Sequence, residues 1–156
     1  MESVNWAWGL SLIGLTIAIH AMGVVMMAVV GLGVSLWLKT RNLGIPHVIL
    51  IVTGAVGAIG LLPAVLHGVE ATIRAAAYVW LGALASPKDA ILYSLDSMTT
   101  RGASGLMLEP HWQMMGALEA ANGMLLFGIS TAYIFAVMQV YWSMLSDLLM
   151  TRRHPR

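Results

Sequence analysis

The sequence predicts an all-α integral membrane protein: three transmembrane helices, a short re-entrant helix and a filter-like loop in a single domain covering residues 1–156. Three observations predict it. The chain of 156 residues is 59% hydrophobic and only 10% charged, with a mean hydropathy of +0.82. Asp, Glu, Lys and Arg are absent from Ser3 to Leu38, from Asn42 to Val69 and from Ala120 to Ser146, and each run exceeds the roughly 20 residues that cross a bilayer. A water-soluble domain would carry charges along the outer face of every helix. The third observation is a more polar segment, Ser86 to Leu106 (SPKDAILYSLDSMTTRGASGL), lying between two long apolar stretches.

The first span is expected over residues 6–38, ending at Lys39 and Arg41. Met1-Glu2-Ser3 lacks a positive n-region and the apolar run is too long for a cleaved signal peptide, so none is expected. The second span is expected over 46–84, with Pro63 as its kink, and the third over 112–148, followed by Arg152, Arg153 and Arg156. Basic residues after spans one and three put both ends on the cytoplasmic side. The N-terminus and the Ser86–Pro110 segment then lie outside, with the C-terminus cytoplasmic. Trp6, Trp8, Trp37, Trp80, Trp112 and Trp142 all fall at expected helix ends, where indole rings anchor at the interface. Gly14, Gly23, Gly31 and Gly33 in span one and Gly54, Gly57 and Gly60 in span two suit close helix packing in lipid. A net charge of +1 offers no basic patch for nucleic acid, and the absence of cysteine excludes disulfides and thiol chemistry.

Within 86–106, Ser86 is a good N-cap, Pro87 suits the first helical turn and Asp89 stands three residues after the cap, as in a capping box. The predicted helix of about fourteen residues reaches roughly 20 Å, short of a hydrocarbon core of about 30 Å. It then breaks into Thr-Thr-Arg-Gly-Ala-Ser-Gly. Polar, irregular backbone at membrane depth is tolerated only inside protein or beside a water-filled cavity. A pore loop answers that description, as does, more blandly, a short surface helix in an extracellular loop. In the pore-loop reading the negative end of the helix dipole points inward, where four such ends around an axis favour a cation.

The run ILYSLDSMTTRGASG, followed by WQMMGALEAANGMLLFGISTAYIFAVMQ, resembles the pore domain of small bacterial potassium-channel-type proteins, in which a Thr-Thr-hydrophobic-Gly-Tyr-Gly-Asp filter precedes an inner helix. HGVEATIRAAAYVWLGAL is similar to that group's outer helix. The likeness covers about Leu66 to Gln139, leaving span one as an added peripheral helix. It implies a homotetrameric pore-loop ion channel of an inner membrane, in contact with lipid, passing a monovalent ion without a cofactor, a bound metal or chemical catalysis. Thr99 and Thr100 match the filter threonines and Gly102 the first filter glycine. Arg101 replaces a small hydrophobic residue, Ala103 the aromatic, Ser104 the second glycine and Gly105 the acid. These departures predict weak or altered selectivity, because a carbonyl-lined filter needs glycine at its unusual backbone angles.

Arg101 has two readings. Facing the axis, it would repel cations; packed behind the loop, it needs a buried partner, Asp96 first and Glu119 second. The family counterpart of Glu119 sits behind the pore loop in a hydrogen-bonding role. Gly123 and Gly128 are candidate hinges of the inner helix, or positions of tight packing. Asn122, Ser130 and Thr131 are the polar groups available to a cavity there. His20 and His67 fall at a similar expected depth, with Glu70 one turn after His67 and Arg74 at i+4 as a charge partner for Glu70. Ionisable groups at such depth suggest function: a metal or haem site on His20 and His67, a protonation switch, or a polar cluster docking span one onto span two. Two further functional readings stand beside the channel. One is a non-conducting accessory or sensor protein that keeps the fold; the other is a haem or metal membrane protein.

Overall fold

The computed structural model describes residues 2–41, 43–99, 101–102 and 105–153. Among them the chain is helical throughout its regular structure: α1 (Glu2–Thr40), α2 (Ile45–Trp80), α3 (Pro87–Met98), a single 3-10 turn (Pro110–Trp112) and α4 (Gln113–Arg153). Three segments are long and apolar enough to cross a membrane, Val4–Leu38, Ile45–Trp80 and Pro110–Asp147, as a multi-pass membrane protein requires.

The bounds differ from expectation where local chemistry overrides hydropathy. The second helix stops at Trp80 rather than running to Leu84, because Gly82 adopts φ +69°. That conformation lets Gly82 N–H bond the Val79 carbonyl at 3.1 Å and Ala83 N–H bond the Tyr78 carbonyl at 2.8 Å, the paired pattern of a glycine-terminated helix. The third helix is 12 residues long, or about 18 Å. Its cap forms as the sequence indicates, with Ser86 Oγ accepting from Asp89 N–H at 3.4 Å. Pro63 lies inside α2, which stays helical through it.

The chain divides into two compact units: Met1–Met22 with Ala64–Ile129, and Gly23–Pro63 with Ser130–Arg156. The first contains α3, the first half of α4 and the parts of α1 and α2 nearest to them in contact. Its apolar core gathers Leu12, Ala75, Tyr78, Tyr93, Leu108, Trp112 and Met115, with Tyr78 and Tyr93 edge to face at 5.6 Å between ring centres. Trp112 is buried there instead of anchoring at an interface, whereas Trp80 and Trp142 are widely exposed. The second unit buries Leu38, Val48, Val52, Ile59, Tyr141 and Met144. Tyr141 Oη reaches the Gly31 carbonyl at 3.4 Å, and Arg41 covers the Trp37 ring at 5.5 Å.

The glycines correct one expectation. A methyl group at Gly14, Gly31, Gly33, Gly54, Gly57 or Gly60 would meet no atom within 4 Å, so within one chain no close approach requires glycine at these positions. The close approaches occur elsewhere, at Gly9, Gly116 and Gly123.

Candidate functional site

Most of the polar chemistry that the sequence singles out in the spans converges in the first unit, Ser130 and Thr131 belonging to the second. In α1, Asn5, Gly9, Leu12, Thr16 and His20 recur every three or four residues and form one buried stripe. In α2 the buried stripe is His67, Glu70, Ala71, Arg74, Ala75 and Tyr78; in α4 it is Met115, Gly116, Glu119, Asn122, Gly123 and Leu126. Six of these positions, His20, His67, Glu70, Arg74, Tyr78 and Glu119, carry ionisable groups, so the helices dock through polar as well as apolar contacts.

Glu70 accepts from both histidines. His20 Nδ1 lies 2.8 Å from Oε1, and His67 Nδ1 lies 3.2 Å from Oε2. The two imidazole rings are 5.0 Å apart, and His67 stacks on Phe127 of α4 at 4.1 Å. Arg74 does not pair with Glu70 as its i+4 spacing suggests. Its Nε lies 3.8 Å from Glu119 Oε1 and its Nη2 donates to Thr16 Oγ1 at 3.0 Å. The physical reason is competition: both oxygens of Glu70 are engaged by histidine, while Glu119 would otherwise be a buried carboxylate without a cation.

Glu119 ties three helices together. Tyr78 Oη of α2 donates to Oε2 at 2.5 Å, and Ser94 Oγ of α3 donates to Oε1 at 2.5 Å. Asn122, expected to face a cavity, is instead buried, with Nδ2 donating to Thr16 Oγ1 at 2.9 Å. Thr131 is exposed and Ser130 buried. Thr16, Tyr78 and Ser94 are the members of this network that the sequence reading passed over. Their signal was periodic: Thr16 is one turn before His20, and Tyr78 one turn after Arg74.

The segment between α2 and α4 leaves and returns at one end of the unit. Glu109 N–H bonds the Ala83 carbonyl at 3.2 Å, and the Asn5 carboxamide donates to the His111 carbonyl. The far end of α3 reaches deep along α4: a methyl on Gly123 would stand 2.5–2.9 Å from backbone atoms of Met98, and Met98 packs with Ala71 and Leu126. Gly123 is ten residues, about 15 Å, into α4. Gly123 therefore permits a close approach, whereas Gly128 has open space around it.

Beyond Met98 the helix end is closed locally. Thr99 Oγ1 donates to the Leu95 carbonyl at 2.8 Å, and Arg101 N–H bonds the Asp96 carbonyl at 3.0 Å. Arg101 Nη1 lies 3.3 Å from Asp96 Oδ1. The pair joins unlike environments within one chain, the Asp96 side chain being 4% exposed and that of Arg101 69%. Gly102 and Gly105 take φ +81° and +80°, which side chains other than glycine rarely adopt. Thr100, Ala103 and Ser104 lie outside the described residues.

Comparison with known protein families, characterised proteins and solved structures finds no match to this chain.

Proposed function

We propose that this chain is the subunit of a homotetrameric pore-loop ion channel of the potassium-channel type, weakly selective among monovalent ions. In it, α3 is the pore helix, Thr99 to Gly105 the constriction and α4 the pore-lining helix. One observation carries the reading: the 86–109 segment opens and closes at a single backbone hydrogen bond between Ala83 and Glu109, while its inner end touches Gly123 far along an apolar helix. A helix of about 18 Å held at that depth crosses nothing and must come back.

Exposure supports the oligomer. Ile91, Leu92 and Leu95 of α3, and Met124 and Leu125 of α4, are uncovered, and Arg101 is exposed beside them. A guanidinium at membrane depth requires water or protein around it, and a ring of copies around a water-filled axis supplies both. Pairing each Arg101 with an Asp96 leaves the constriction near neutral, so neither cations nor anions are strongly excluded. The inner membrane, with the N-terminus outside and the C-terminus cytoplasmic, is the location that the basic flanks support.

Reconstitution of purified protein into liposomes under salt gradients tests this. The expected results are a tetramer in mild detergent, measurable flux, and a reversal potential that moves toward the cation limit in Arg101→Ala. Absence of flux from the tetramer would favour the non-conducting accessory reading. A monomer whose residues 99–105, replaced by cysteine, react as in bulk water would overturn the pore loop itself.

A further inference from the structure

We propose that His20, His67 and Glu70 bind one divalent transition-metal ion of the zinc type, held between α1 and α2. The proposal stands apart from conduction, since its three side chains belong to α1 and α2 and none to α3 or the loop that follows it.

The three groups are the ones zinc takes most readily, two imidazoles and a carboxylate, and all three are buried. One ring nitrogen from each histidine and a carboxylate oxygen lie within 4.8 Å of one another. Ligand atoms on a tetrahedral ion with bonds of about 2.0–2.1 Å are separated by about 3.3 Å. The His20 Nδ1 to Glu70 Oε1 distance of 2.8 Å and the His67 Nδ1 to Oε2 distance of 3.2 Å already approach that spacing. Those two distances go to different oxygens of Glu70, so closing on an ion also requires the widest separation in the set, within 4.8 Å, to shorten toward about 3.3 Å.

The surroundings favour an ion here over a simple polar contact. His67 and Glu70 sit at i and i+3 and share a face of α2, while His20 comes from a second helix, so the set converges from two directions. Phe127 stacked on His67 holds that ring in plane. The network contains two buried carboxylates and one buried guanidinium, and the guanidinium is drawn to Glu119. Glu70 therefore faces imidazole nitrogen on both oxygens, which gathers two nitrogen donors and a carboxylate at one point. For the rings to ligate through Nδ1, their Nδ1 protons must leave or move to Nε2, so metal uptake releases protons or shifts tautomers. Three protein ligands leave a fourth position for water or a small anion.

The test uses full-length protein in detergent, freed of any affinity tag and stripped with chelator, titrated with cobalt(II) and then with zinc. The expected result is one cobalt per chain with the visible absorption of a four-coordinate nitrogen–oxygen site, displaced by zinc. His20→Gln, His67→Gln and Glu70→Gln should each weaken binding by at least about tenfold while keeping the wild-type elution volume and helix content. His47→Gln and His111→Gln should change nothing. Substoichiometric binding to folded wild-type protein would overturn the proposal, as would equal affinity in the three site variants or loss of binding in His111→Gln.

Discussion

The two units of this chain solve burial in opposite ways. The second unit buries aliphatic side chains with Tyr141 and Met144, and the polar residues buried within it among the described ones are Ser35 and Ser130. Ser35 satisfies itself on its own helix, donating to the Leu32 carbonyl at 2.9 Å. The first unit buries Asn5, Thr16, His20, His67, Glu70, Arg74, Ser94, Asp96, Ser97, Glu119 and Asn122, most of them bonded to another helix. Lipid gives apolar helices little reason to prefer one partner over another, because tails are as apolar as leucine. Polar groups do discriminate, since each must find its particular partner or remain desolvated and unpaired. The first unit is thus the specified half, and it is also the half that holds the unusual loop and the histidine–glutamate cluster.

The most damaging way to probe this contrast is Glu119→Leu. It strands Arg74 without a carboxylate and removes the acceptor of Tyr78 and Ser94, and should cost about 3–5 kcal/mol in unfolding assays in detergent. Adding Arg74→Met to that variant should recover much of the loss. If the double variant is as unstable as the single, the ion pair is not the organising contact.

Gly123→Ala comes next. Its methyl meets Met98 backbone, and such overpacking should cost about 1–3 kcal/mol. In the second unit, Gly57→Ala enters open space and should stabilise by up to about 1 kcal/mol through helix propensity. Melting curves of the pair would separate close approach from mere abundance of glycine; equal shifts would erase the distinction. Tyr141→Phe removes one long hydrogen bond to Gly31 and should cost about 0.5–1.5 kcal/mol. Smallest in stability is Arg101→Gln, where the exposed partner of a half-solvated pair is lost, an effect of about 0.2–1 kcal/mol. If instead it destabilises as much as Glu119→Leu, Arg101 is buried in the assembled protein.

Much of this molecule was legible along the chain. Charge-free runs gave the three long helices because membrane-spanning length and apolarity are properties of consecutive residues. Ser86, Pro87 and Asp89 announced α3 because capping is chemistry among neighbours within one turn. Gly82 could have been read the same way, as the residue that ends α2, but hydropathy carries the pattern past it to Leu84. Asp96 and Arg101 stand five residues apart, close enough for the sequence to offer their pairing as one of two readings of Arg101.

What the sequence left open were choices between partners that only packing makes. Spacing put Glu70 within reach of Arg74, yet the guanidinium turns to Glu119 because His20, fifty residues before Glu70, already occupies that carboxylate. Helical periodicity tells which residues share a face; it does not tell which face meets which helix. Sequence by itself determined the apolar helices, their caps and the polar interruption between them, since those follow from local sterics and from transfer of side chains out of water. Tertiary structure alone decided the convergence of His20, His67 and Glu70, the three-helix grip of Glu119 and the need for glycine at 123, because each depends on desolvated groups from distant segments competing for the same few partners.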